Sequence, residues 1–377
     1  MTDRIDADEL LAEATAQHAG GGGFDPASDE PFRIICRGLE TTANLTHDGR
    51  VFTRGFLRRL LDGHLAIDAA FRADPTLADE VIEAPIFVIG APRTGTTALH
   101  RLLASDPQSR VPEGWEFLYP TETDEPAIIV AAAEELGWPQ SVQTGIRSIH
   151  TYSARMPKEC LSAMSFSFRS EEFISRYHLP EYVEWLFTSD LTPAYEMHRK
   201  VLQVLQRRRP TERWVLKSPV HLQGIPELVA TYPGASYVGT HREPVDVLAS
   251  VSSLIATLRA AFSTEVDRVA IGTYHADLYE RSLRRMVGHV DRGPLAAART
   301  AHVRHRDLVR APVQTVRSVY VQLGVEWDGS REQAAIEAAS AEREDSVGRH
   351  QYDAADYGLD PDALRPRFAE YRERFLA

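Results

Sequence analysis

Apolar residues along this chain follow two different periods, and the alternation between them predicts the architecture. Short solid runs of apolar, β-branched residues read as buried strands. Longer stretches with apolar positions three and four apart read as amphipathic helices. The clearest solid run is Pro85–Gly90, Pro-Ile-Phe-Val-Ile-Gly. Arg213–Lys217, Ala235–Thr240 and Ala301–Arg304 are further strand candidates. Helical periodicity covers 98–104, 127–137, 171–188, 193–208, 224–232, 244–261, 264–289, 311–323 and 331–341. Strands alternating with helices predict an α/β fold with a doubly wound, mainly parallel sheet flanked by helices.

Two stretches fall outside that alternation. Residues 1–80 carry only helical patterns: an amphipathic segment at 4–18, a glycine break at Gly20–Gly23, and a periodic run over 31–80. They predict a helical N-terminal cap, followed by one α/β domain over 81–377. Within that domain, residues 125–210 read as a helical insertion placed to line a substrate site. The insertion is rich in aromatics (Trp138, Tyr152, Phe166, Phe168, Phe173, Tyr177, Trp185). Their helical spacing predicts core packing rather than a ligand cage.

Composition narrows the class of partner. The 377 residues are 43% hydrophobic and 25% charged, as in a globular enzyme, and the formal net charge is −12. That charge argues against nucleic acid or an anionic membrane as a general partner. No run approaches 18 apolar residues, so no integral membrane association is expected. The acidic stretch Met1–Glu9 lacks the apolar segment of a signal peptide. A cytoplasmic location follows as the expectation, with Cys36 and Cys160 as reduced thiols and no metal motif. Oligomeric state is not written in the sequence.

Candidate chemistry sits at the ends of three predicted strands, where ligands bind in open parallel sheets. After Pro85–Gly90 come Gly90, four residues, Gly95, Thr96 and Thr97. This is the spacing of a phosphate-binding P-loop with Thr96 where a lysine would stand. A helical pattern starts at Ala98, so the loop joins a strand to a helix N-terminus, which suits an anion. The missing lysine is the group that reaches the terminal phosphates of a nucleoside triphosphate. Arg93 is the cation inside the loop. The second strand end is Lys-Ser-Pro-Val-His-Leu, 217–222, holding one of only three lysines in the chain. The third is His-Arg-Glu-Pro-Val-Asp-Val-Leu-Ala-Ser, 241–250. There Pro244 suits a helix first turn, and Arg242 and Ser250 could reach one anionic group together.

These three clusters, in this order, resemble the PAPS-dependent sulfotransferases, in particular the large bacterial subgroup (PAPS is 3′-phosphoadenosine 5′-phosphosulfate). Pro-Arg-Thr-Gly-Thr-Thr, 92–97, resembles the family's 5′-phosphosulfate loop, which often carries Lys where this chain has Arg93. Residues 241–250 resemble its 3′-phosphate motif, with Arg242 and Ser250 at the family's spacing. The resemblance is strong over roughly 85–255. It extends more loosely to 306–312 and 350–359.

The resemblance implies a P-loop-type fold and an enzyme of EC 2.8.2 type. PAPS would be the donor, adenosine 3′,5′-bisphosphate the product, and no metal would be needed. The acceptor would be a hydroxyl or amine of a small molecule, lipid or carbohydrate. Arg93, Thr94, Gly95, Thr96 and Thr97 would hold the phosphosulfate, Arg242 and Ser250 the 3′-phosphate, and Arg349 a late basic loop over the cofactor. Lys217 and Arg93 would stabilise charge during in-line transfer. Glu116, following the loop helix, and His221, four residues after Lys217, are the two candidate bases, with Glu116 preferred. His100 is expected to line or pack in the cleft.

A P-loop kinase or a non-catalytic nucleotide-binding module is the alternative. The kinase must account for Thr96 and for strand ends that offer Lys217 and His241–Arg242 rather than an acidic Mg²⁺ ligand.

Overall fold

The computed structural model describes residues 4–18, 23–136, 153–344 and 353–377. The chain packs as two compact units. One comprises Met1–Val81, Glu113–Pro210 and Ile255–Val266; the other comprises Ile82–Pro112, Thr211–Leu254 and Asp267–Ala377.

The second unit holds the sheet. Among the described residues it has five strands: β1 (Ile86–Ile89), β2 (Ser109–Arg110), β3 (Arg213–Lys217), β4 (Ser236–His241) and β5 (Arg299–Arg304). Their order is β2-β3-β1-β4-β5, and every neighbouring pair is parallel. Both faces are covered. Ile86 and Val88 pack with Leu99 and Leu103 of the helix Thr96–Ala104 and with Val319 of the helix Pro312–Gln322. On the opposite face, Phe87 meets the rings of His221, Tyr232 and Tyr237. A strand buried on both faces has no reason to alternate, which is why β1 is a solid apolar run. β2 has only two residues and gave no sequence signal.

A buried polar centre fastens the β2 edge. The Asp106 carboxylate accepts bonds from the Tyr320 hydroxyl (2.9 Å), the Ser109 hydroxyl (3.1 Å) and the Gln108 N–H (3.0 Å). Arg331 of the helix Gly329–Glu344 donates to it at 3.3 Å. Asp106 and Arg331 are both buried.

The first unit is helical. Side-chain caps set its early boundaries: Asp6 caps Ala7–Gln17, Asp25 caps Pro26–Thr41 and Thr46 caps His47–Ala73. The periodic run over 31–80 is therefore two long helices, broken where Asn44 takes φ 48°. The single helix expected over 171–188 is also two, Glu171–Arg176 and Pro180–Thr188. Pro180 opens the second and holds Leu179 out of helical geometry. Phe166, Phe168, Phe173 and Tyr177 are fully buried, so these aromatics form core, as their spacing predicts. Trp138 and Tyr152 lie outside the described residues. Cys36 and Cys160 are both buried.

Candidate active site

Strand order explains why residues so distant in sequence come together. β1 lies between β3 and β4, and parallel neighbours end at the same edge of the sheet. The β1 loop, Lys217 at the end of β3 and Arg242 after β4 therefore share one carboxyl edge. The order of the chain reverses around β1, the topological switch point where open sheets of this kind bind ligands.

The loop is built to bring backbone to a ligand. Gly90 has φ 145°, and a Cβ there would come within 2.8 Å of the Thr240 carbonyl, so β4 leaves room only for glycine. The buried Thr94 hydroxyl donates to the Ala91 carbonyl at 2.6 Å and meets the Thr240 hydroxyl at 2.6 Å. Arg93 adopts φ 65°, an uncommon conformation for a residue with a Cβ and one that clusters at functional sites. Gly95, at φ 94°, is the N-cap of Thr96–Ala104, and no side chain caps that helix. Its first-turn N–H groups, Thr96 and Thr97 among them, thus face the carboxyl edge with the positive end of the helix dipole.

Cations surround this cradle. Lys217 is buried, and its ammonium donates to the Thr97 hydroxyl at 3.4 Å. Arg93 Nε donates to the Ser250 hydroxyl at 3.2 Å. Arg242 Nη1 donates to the Arg93 carbonyl at 3.1 Å. Arg93, Arg242 and Ser250 therefore form one cluster, although the motif reading assigned Arg93 and the other two to opposite ends of a ligand. His305, directly after β5, completes the rim. It lies 3.1 Å from where a Gly95 Cβ would sit. Burial first, then the charges of Arg242 and Arg93, hold its imidazole below the ordinary range. A model of the Sulfotransferase family matches residues 85–329, which include the loop, Lys217, Arg242 and Ser250.

The chain belongs to the sulfotransferase family. Among solved structures, this chain resembles the sulfotransferase STF1 of Mycobacterium tuberculosis with a TM-score of 0.81 and 30% identity, over 98% of this chain and 100% of that one. It shares the fold of STF9 of Mycobacterium avium, at TM-score 0.81 and 24% identity, over 99% of this chain and 97% of that one. Among curated proteins, the omega-hydroxy-beta-dihydromenaquinone-9 sulfotransferase Stf3 of Mycobacterium bovis is 28% identical over 269 residues. That match covers 66% of this chain and 65% of the relative, so the chain spans just under two thirds of its length.

The remaining candidates are placed as follows. Glu116 is buried in the short helix Gly114–Leu118 of the helical unit, where its Oε2 accepts the Glu113 N–H at 2.9 Å as half of a capping box. Trp115, its neighbour, donates instead to Glu113 at 2.6 Å. His221 is fully buried in the sheet unit, edge-on to Phe87 at 5.2 Å. His100 packs in the core with Nε2 3.1 Å from the Val215 carbonyl. Arg349 lies outside the described residues. His305 was missed by the motif reading, although its place directly after the last strand was a usable signal.

Proposed function

We propose that this chain transfers a sulfuryl group from PAPS to a hydroxyl or amine of a small-molecule, lipid or carbohydrate acceptor. The observation that carries this reading is the distribution of cations over adjacent strand ends. A ligand with phosphates at both its 5′ and 3′ positions needs two anion sites, and the β1 edge offers an uncapped helix N-terminus with Lys217 and, joined to the loop through Arg93, the residues Arg242 and Ser250. The Stf3 relative's name supports a hydroxylated lipid among the acceptor classes. Among the described residues no helix is long and apolar enough to cross a membrane.

When bound, PAPS supplies a sulfuryl group already attached to a phosphate leaving group. The first-turn N–H groups and the Thr96 and Thr97 hydroxyls hold the 5′ end, with Thr94 and Gly95 fixing the loop's shape. Lys217 stabilises the negative charge that builds on the leaving oxygen, and Thr97 orients its ammonium. Arg242 and Ser250 hold the 3′-phosphate. Arg93 links the two sites through its bond to Ser250. Glu116 takes the acceptor proton in this reading. His221 is the less favoured base because its ring is enclosed against Phe87. Arg349 remains assigned to the cofactor by motif alone.

Thermal shift with adenosine 3′,5′-bisphosphate against ATP–Mg²⁺ tests the reading. The bisphosphate at 100 times its Kd should add about 2.7 kcal/mol to stability. Stabilisation by ATP–Mg²⁺ and not by the bisphosphate would favour a kinase-type protein instead.

A further inference from the structure

The last helix, Ala369–Phe375, lays two aromatic rings against the ends of β4 and β5. Phe375 stacks on His241 with centroids 4.1 Å apart and planes within 8°, and it meets His302 at 5.0 Å. The Tyr371 hydroxyl lies 2.8 Å from His241 Nδ1, and His241 Nε2 lies 2.9 Å from His302 Nδ1.

Tyr371, His241 and His302 thus form one chain of hydrogen-bonded groups running from the helix to both strands. Burial, reinforced by His302 and Arg304, holds His241 well below its ordinary range. Burial, reinforced by Arg374, holds His302 at about 4. Deleting any member orphans a buried neighbour.

The tail grips the residues on both sides of Arg242. His241 is stacked and bonded, and Glu243 accepts from Arg372 Nε at 2.9 Å. Arg304 Nε in turn donates to the Phe375 carbonyl at 3.0 Å. Tyr371 and Arg242 also line one narrow gap with the loop residues Ala91 and Thr94.

We propose that the C-terminal helix is a positioning element of the 3′-phosphate site, and that Tyr371 sets the direction of Arg242 by fixing His241, the residue before it. The proposal rests on the reading of Arg242 as the 3′-phosphate ligand. Tyr371 is a positioning residue: it acts through Arg242 and touches no reacting atom.

The test is Tyr371→Phe, which keeps the ring and removes the hydroxyl. Tyr320→Phe serves as control, because it deletes a buried hydroxyl bonded to Asp106 instead. Calorimetric titration with adenosine 3′,5′-bisphosphate and with adenosine 5′-phosphate should separate the two variants. In Tyr371→Phe the bisphosphate Kd should rise about tenfold, the monophosphate Kd should hold, and kcat at saturating donor should stay near wild type. Tyr320→Phe should bind both nucleotides as wild type does. Unchanged bisphosphate affinity in Tyr371→Phe overturns the proposal. So does equal weakening of both nucleotides, or the same loss in Tyr320→Phe. Wild-type protein that does not prefer the bisphosphate to the monophosphate overturns the Arg242 reading itself, whatever Tyr371 does.

Discussion

At the scale of single residues, the proposed roles of Lys217 and Arg242 separate binding from chemistry. Lys217 is buried beside Thr97 at the end of β3, and its proposed role is to stabilise charge that appears during transfer. Lys217→Ala should lower kcat by on the order of 10²–10³-fold, as loss of one preorganised charge stabiliser does elsewhere. Its bisphosphate Kd should stay close to wild type, and a normal rate would remove Lys217 from the mechanism. Arg242→Ala should do the opposite in part, raising the bisphosphate Kd by more than about tenfold through loss of a charged hydrogen-bonding pair. Near-normal affinity would reject that role. Both residues were legible in the sequence because each follows a strand directly. His305 occupies the same kind of position after β5. It was passed over because the motif reading placed chemistry at the other three strand ends only. The Arg93–Ser250 bond was not legible, because 157 residues separate the two.

At the scale of elements, one buried carboxylate secures the edge of the sheet. Asp106 joins the turn before β2 to the helices Pro312–Gln322 and Gly329–Glu344 through Tyr320 and Arg331. Burial alone would raise its pKa, but the Gln108 N–H, the Tyr320 hydroxyl and Arg331 outweigh burial and hold it below the ordinary value. Asp106→Asn leaves Arg331 buried with a weakened partner and should cost about 3 kcal/mol in urea unfolding at pH 7. A loss under about 1 kcal/mol, typical of an exposed pair, would show that the centre contributes little. The sign of the pH effect follows from the lowered value. The contribution is complete above the unfolded Asp pKa of about 3.9 and is lost as pH falls through the lower folded value. Wild type should therefore lose more stability than Asp106→Asn on acidification below about pH 4. Element types were largely readable from periodicity, and boundaries were less so. Pro180 and the caps at Asp25 and Thr46 decide where helices stop and start, and two-residue β2 exists only because β3 supplies its partner.

At the scale of the whole molecule, cofactor chemistry and acceptor choice are expected to reside in different units. The residues proposed to hold phosphate lie in the sheet unit, whereas Glu116 and the described residues 125–136 and 153–210 lie in the helical unit with the N-terminal helices. Exchanging residues 113–210 for those of a relative should change the accepted hydroxyl or amine while leaving the bisphosphate Kd within about twofold. An acceptor screen read by mass spectrometry checks the first half, and an unchanged acceptor profile would place specificity outside this segment. The sequence by itself determined the alternation of strands and helices, the glycines of the loop and the cationic strand ends. These are local matters of periodicity, steric room and charge. Only the tertiary structure decided the strand order β2-β3-β1-β4-β5. It also decided that Arg93 bonds Ser250 and that the last helix bonds His241 and Glu243, the neighbours of Arg242. The physical reason is that such pairings depend on which strands become neighbours and which apolar faces find each other. No spacing along the chain encodes that choice.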